Sequence, residues 1–381
     1  MSASSDRSSS VDSPGADSTQ LLADVVDGTE AALRRYFDSR ADEVALIGEE
    51  YRAAVDVLSR FVLLGGKRVR PLFAYLGWLA VPTGEGRSAP DRPDSDAAIA
   101  TFAALELVQA CALIHDDIID RSDTRRGRPT AHRQFEATHR GADWSGDAAH
   151  YGVSAAVIVG DLALAWADDM IADAPITPES LRRVRSIWSI MRTEVLGGQL
   201  LDIVTEASGN ESIDAAYRVM RHKTAGYTVS RPLTLGAALA GADEELQQTL
   251  LAAGTDLGLA FQLRDDVLGV FGDAARTGKP SGDDLVAAKR TALLAVALRR
   301  AHDRDPALAD RLRALIGHPL TEAELDEARA IFVDVGALEE IETTIDELTT
   351  RAFDRLRGAD AEPTAVGALA SFTARLAHRE S

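Results

Sequence analysis

The run AAIATFAALELVQACALIHDDIID, from Ala97 to Asp120, decides the fold. It is apolar and rich in Ala and Leu, which favour helix, and no useful length of it alternates with a period of two. It ends in carboxylates. On a helix with 3.6 residues per turn, positions i and i+4 lie about 40° apart. Asp116 and Asp120 therefore point the same way, and Asp117 lies to one side. Carboxylates stacked one turn apart repel each other unless a cation sits between them. Carboxylate with water suits Mg²⁺, which also takes phosphate oxygens. A solvated acidic patch is the plain alternative. Its position at the edge of an apolar helix favours a site.

The pattern repeats downstream. Glu245–Phe271 is a second apolar helix, and it carries Phe261-Gln262-Leu263-Arg264-Asp265-Asp266-Val267-Leu268-Gly269. The remaining sequence reads as further helices, giving an all-α class with essentially no sheet. The breaks are Val81–Asp96, Gly141–Gly152 and Thr277–Gly282, rich in Gly and Pro. Helical patterning resumes on each side, so we expect one domain over residues 19–381 after a disordered, Ser- and Asp-rich tail at 1–18.

Three basic groups accompany the carboxylates. Arg125-Arg126-Gly127-Arg128 follows the first motif within ten residues. A polyanion held by metal on one side and guanidinium on the other accounts for that proximity, as does mutual neutralisation at a surface. Gly65-Gly66-Lys67-Arg68-Val69-Arg70-Pro71 places Lys67 and Arg70 at a helix start, where amides and dipole favour an anion. Thr277-Gly278-Lys279-Pro280 lacks the Ser or Thr of a P-loop, but leaves Lys279 as a phosphate ligand from a loop. Gln199 and Asp202 form an i, i+3 pair in Gly198-Gln199-Leu200-Leu201-Asp202. Lys223-Thr224-Ala225 is a further small element.

Composition bounds the partners. Of 381 residues, 60 are Asp or Glu and 41 are Lys or Arg, a net charge of −19 that argues against nucleic acid. The single cysteine, Cys111, forbids an intrachain disulfide and fits a reducing cytoplasm. No apolar run reaches the roughly 18–20 residues of a membrane span. The nearest, Ala155–Ala167, contains Asp161, so a soluble cytoplasmic protein is expected. Cys111 lies on an apolar face and is not offered as a nucleophile.

GGKRVRP, DDIIDRSDTRRGRPT, GQLLD, HKTA, FQLRDD and GD…TGKPSGDDL…KRT, in this order, resemble the polyprenyl synthetase family over roughly residues 20–380. The resemblance implies head-to-tail addition of isopentenyl diphosphate to an allylic diphosphate, with loss of diphosphate. It also implies a deep cavity ringed by long helices, a homodimer and three Mg²⁺ ions. By it, Asp116 and Asp120 ligate two ions with Asp117 assisting, and Asp265 ligates the third with Asp266 nearby. Arg125, Lys223 and Lys279 would hold the allylic diphosphate. Lys67, Arg70, Arg126 and Gln109 would hold isopentenyl diphosphate, Gln109 standing where the family often has His. Thr224, Gln262 and Tyr227 would border the reacting carbons.

One departure stands out. The family's second motif is commonly DDxxD, and here its last position is Gly269. Altered metal binding is expected, and the departure leaves room for a non-catalytic subunit of a heteromeric synthase. Terpene cyclases share the fold, but their second motif is an Asn/Ser/Glu triad, which Asp265-Asp266 does not match.

Product length is read from the helix before Asp116. One turn rises about 5.4 Å, close to one isoprene unit. The first turn offers Cys111 and Ala112, the second Val108, and the third Leu105 and Ala104. Small residues where short-product enzymes of the family carry aromatics point beyond C15, to geranylgeranyl diphosphate. Farnesyl and longer polyprenyl products are the alternatives. Trp166 or Met170, on another helix, could close the pocket sooner.

Overall fold

The computed structural model describes residues 14–84, 89–272 and 282–379. The first helix, α1 (Pro14–Ser39), begins inside the segment expected to be a tail; residues 1–13 lie outside the described residues. α2 (Ala41–Ile47), α3 (Glu49–Leu63) and α4 (Val69–Leu79) lead to α5 (Ser95–Ile119), the helix read first from sequence. Asp94 starts α5 by accepting a hydrogen bond from the Ala97 amide, the N-cap that P-D-S-D supplies. Then come α6 (Ala131–Gly141), α7 (Ala148–Ala172), α8 (Pro178–Ala207) and α9 (Ile213–Val219). A π-helical segment (Met220–Ser230) runs without a break into α10 (Arg231–Ala240), and α11 (Glu244–Phe271) follows. Six shorter or amphipathic helices between Asp283 and Arg379 complete the described chain. The sole departure from all-helix among the described residues is a two-residue hairpin, Thr124–Arg125 against Arg128–Pro129.

α5 is the axis. Phe102, Ala103, Ala104, Leu105 and Leu107 are fully buried, because α1, α4 and α7 pack around it. α4 and α10 approach so closely that a methyl on Gly77 would overlap the Leu233 carbonyl, and one on Gly236 the Ala74 carbonyl. Two apolar clusters result. One surrounds α5; the other surrounds the C-terminal half of α11 and the helices after it. The π-helical segment and α11 belong to both, and the carboxylate motifs lie at the ends of α5 and α11.

Membrane-spanning capacity departs from expectation. By length and composition, α5 and α7 are both apolar enough to cross a bilayer. The run Ala155–Ala167 gave only part of this apolarity, because α7 continues through Asp161 and past both of its ends. In α5, 72% of the apolar window is buried, so its apolarity is that of a core helix. In α7 the figure is 28%, and Val157 and Ile158 lie exposed on its outer face.

Candidate active site

Asp116 is the hub. Its Oδ1 accepts hydrogen bonds from Lys223 Nζ and Gln199 Nε2, each at 3.1 Å, and its Oδ2 accepts one from Arg125 Nη2 at 3.3 Å. Four elements thus meet at one carboxylate: α5, the hairpin, α8 and the π-helical segment. Lys223 also donates to Asp202 at 2.5 Å, which gives the Gln199/Asp202 pair of α8 a place in the site. Asp120, one turn on, faces Lys289 Nζ at 3.5 Å.

The π-helical segment explains how Lys223 arrives there. Wide turns of this kind collect at functional sites, because they re-aim side chains within a helix. Gly198 lets α8 close on it: a methyl there would overlap the backbone of His222 and Lys223. Thr224 follows on the same segment and is partly buried.

Charge is tightly balanced. Burial pushes the Asp116 carboxyl up, but Lys223, Lys289 and Arg125 outweigh it, and the net shift is downward. Asp120 moves up, through burial and then the charge of Asp116. Burial alone would lower the Lys223 ammonium; Asp116 and Asp202 raise it above its ordinary value. Lys289 is raised likewise against burial, by Asp120, Asp284, Asp116 and Asp202. Two ammonium groups therefore stand among four carboxylates, a charge arrangement that favours cations.

Asp117 plays a different part from its neighbours. Its side chain is 1% exposed, and its Oδ1 accepts from Arg125 Nε at 2.7 Å, while its Oδ2 is buried without a partner. Burial, offset in part by Arg125, pushes its carboxyl up to about 6. It aims Arg125 at Asp116 from behind.

A second basic cluster lies beside the first. Gly65 and Gly66 adopt φ of +152° and +118°, backbone that glycine tolerates, and the Arg126 guanidinium packs over them. Burial lowers the Arg126 pKa, the charge of Glu106 opposes it, and the like charges of Arg125, Arg68 and Arg70 lower it further. Clustered guanidiniums of one sign are costly unless an anion joins them. Arg70 donates to Thr228 Oγ1 at 2.8 Å and stacks 4.1 Å from the Tyr227 ring centroid. Tyr227 in turn donates to Gln109 Oε1 at 2.8 Å. Lys67 is exposed at the same turn. Arg68 is different: it is buried and paired with Glu106 at 2.7 Å and Glu30 at 3.3 Å, so it builds the turn.

The third group is on α11. Asp265 is exposed, while Asp266 is buried, accepting from Gln262 Nε2 at 2.9 Å and from the Ala292 amide at 3.1 Å. Burial holds Asp266 well above the carboxylate range. Gln262 is thereby committed to Asp266. Lys279 lies outside the described residues. Of the residues proposed for product length, Ala112 is partly exposed on the Asp116 side of α5. Val108 is buried. Cys111 is also buried, and its Sγ lies 3.7 Å from Nδ1 of His115, whose ring packs over Gly160 of α7. The sequence reading named neither Lys289 nor Asp284 as a site residue. Both lie in the stretch DDL…KRT, where only three-dimensional proximity to Asp120 and Gly269 reveals them.

No three His, Cys, Asp or Glu side chains among the described residues converge as a closed metal cage. A set of open carboxylates facing clustered cations instead suits ions that share their shells with phosphate oxygens and water. Fold and site together define a helical enzyme that works on a diphosphate between carboxylates and fixed cations. The polyprenyl synthetase family profile matches residues 52–332, and the chain belongs to that family. It is a trans-prenyltransferase, joining isopentenyl diphosphate head to tail to an allylic diphosphate with release of diphosphate. A geranylgeranyl pyrophosphate synthase from Corynebacterium glutamicum, solved with isoprenyl diphosphate and magnesium, superposes with a TM-score of 0.86. It is 44% identical, over 93% of this chain and 98% of that one. A geranylfarnesyl diphosphate synthase of Aeropyrum pernix is 35% identical over 78% of this chain and 86% of its own. A nonaprenyl diphosphate synthase of Mycobacterium tuberculosis is 29% identical over 80% of this chain and 81% of its own.

Proposed function

We propose that this prenyltransferase stops at geranylgeranyl diphosphate and works with Mg²⁺. The observation that carries the length is the first turn before Asp116, where Ala112 is partly exposed and small. The likeness to the Corynebacterium enzyme supports C20. The likeness to the Aeropyrum enzyme favours a C25 reading, which small residues at the second and third turns also allow.

Mg²⁺ fits the donor set: Asp116 and Asp120 on one face of α5, and Asp265 on α11, the three ions of the family being the expected complement. When bound, it neutralises charge building on the leaving diphosphate. Arg125 and Lys223 do the same from fixed positions, already oriented before reaction, as electrostatic preorganisation requires. Lys67, Arg70 and Arg126, with Gln109 two turns before Asp116 on the same face of α5, seat isopentenyl diphosphate next to it. Its double bond attacks the allylic carbon as the C1–O bond breaks, and a proton then passes to the departing diphosphate. Thr224, Gln262 and Tyr227 line the space between the two diphosphates.

Ile190, Leu196, Leu200 and Val204 on α8 lie exposed, as do Val157 and Ile158 on α7, and apolar side chains of this kind suit cover by a second copy of the chain. We therefore read the working form as a soluble, cytoplasmic homodimer.

The test is incubation of the purified protein with Mg²⁺, isopentenyl diphosphate and farnesyl diphosphate, with product chromatography. C20 should accumulate; a C25 or longer product refutes the length. Ala112→Phe should shorten the product, and unchanged length would remove Ala112 from the tunnel wall. No turnover by this chain alone would favour the subunit reading that Gly269 raised.

A further inference from the structure

Arg70 is buried, yet among the described residues no carboxylate pairs with it. Neutral groups hold it instead. Thr228 Oγ1 accepts from Arg70 Nη2 at 2.8 Å, and the Tyr227 ring stacks against the guanidinium, with 4.1 Å from its centroid to the central carbon. A guanidinium clamped this way keeps its whole charge for an anion, whereas a carboxylate partner would cancel it. Tyr227 has a second contact. Its hydroxyl donates to Gln109 Oε1 at 2.8 Å. That ties the carbonyl end of the amide to Tyr227 and leaves the two donors on Nε2 pointing the other way. Gln109 lies two turns before Asp116 on the same face of α5. A diphosphate beside it, rich in acceptors, then meets donors and not the carbonyl.

Tyr227 can hold others because little can move it. It is buried, and it belongs to the π-helical segment. That segment is wedged between two helices at glycines. A methyl on Gly198 of α8 would overlap the Lys223 backbone, and one on Gly258 of α11 would come 2.6 Å from Ala225 Cα. Arg231, just past the segment, donates twice to Glu194 of α8, at 2.7 and 2.6 Å. One fixed segment thus carries Lys223 to Asp116 and, four residues on, Tyr227 to Arg70 and Gln109.

We propose that Tyr227 is a positioning residue for isopentenyl diphosphate: its ring and Thr228 clamp the Arg70 guanidinium, and its hydroxyl turns the Gln109 amide so that Nε2 faces that diphosphate. The proposal rests on the seating of isopentenyl diphosphate by Arg70 and Gln109 given above, and adds the group that aims both.

The test is steady-state kinetics of the whole enzyme, with KM measured for isopentenyl and for farnesyl diphosphate. Tyr227→Phe is nearly isosteric, keeps the stack and loses the hydroxyl. It should raise KM for isopentenyl diphosphate about fivefold, the scale of one hydrogen bond, and move KM for farnesyl diphosphate by less than about twofold. Gln109→Met should give a similar rise. Because the hydroxyl acts through Gln109, the double variant should also show a rise of about fivefold, and not the product of about twenty-five. Thr228→Val keeps its shape and removes the other holder of Arg70. It too should raise KM for isopentenyl diphosphate alone, and it decides on the clamp if Tyr227→Phe does not fold. An unchanged KM for isopentenyl diphosphate in folded Tyr227→Phe or Thr228→Val overturns the proposal. So do equal rises for both substrates, the mark of a merely structural role, and so do multiplying effects in the double variant. If Arg70→Met and Gln109→Met both leave that KM at its native value, the seating of isopentenyl diphosphate itself fails, whatever Tyr227 does.

Discussion

Replacing Lys223 by Met keeps the stem and removes the charge. In the unliganded site the ammonium lies 3.1 Å from Asp116 Oδ1 and 2.5 Å from Asp202 Oδ2. At an effective dielectric near 20, the Asp116 contact alone is worth about 5 kcal/mol before any offset. Both side chains retain some exposure, 23% and 16%, and the ammonium has lost much of its hydration. Screening and desolvation leave about 2–3 kcal/mol, in line with a charge-assisted hydrogen bond. Two effects of opposite sign follow. Turnover loses a fixed cation on the leaving diphosphate, so kcat/KM for the allylic substrate should fall about 30- to 150-fold. Mg²⁺, in contrast, no longer competes with an ammonium for Asp116, so its affinity in the absence of substrate should rise about tenfold, or 1.4 kcal/mol. Steady-state kinetics over a Mg²⁺ series and calorimetry on the free protein measure both. A kcat/KM within threefold of native would show that Lys223 does not face the diphosphate. Falling Mg²⁺ affinity would show that it organises the carboxylates instead of masking them.

Arg68→Met should cost about 3–5 kcal/mol of stability, because Glu106 is left buried without its partner. Arg126→Met should leave the melting temperature within a few degrees and raise KM for isopentenyl diphosphate; equal effects in a paired melting and kinetic comparison would refute the division of labour. Cys111, pushed up to about 12 by burial, should resist aromatic disulfide reagents at pH 8 in the native protein and react at once in denaturant, as absorbance would show. Tyr36 is raised to about 12, chiefly by burial, with Arg40 opposing in part. The unfolded chain loses that proton near pH 10 while the native one keeps it, so stability should fall as pH rises from about 10 to 12. Tyr36→Phe should flatten that fall in denaturant titrations, and an unchanged slope would refute it.

The Asp motifs show why one part of the site was legible and another was not. DDIID could be read because i and i+4 on a helix share a face whatever the tertiary structure does, and the apolar run before it fixed α5 within two residues. Asp117 could not, since only the burial of its side chain turns a third carboxylate into the support of Arg125. The anion turn was half legible. Gly65-Gly66 turn the chain into α4, whose first turn holds Arg70, but nothing in GGKRVRP says that Arg68 would point inward to Glu106. Gly269 is the sharpest case. From sequence it is a deletion in a motif. In space it is the gap through which Asp284, fifteen residues later, enters the same face. Periodicity reports faces of one helix and is silent about a carboxylate delivered to that face by another.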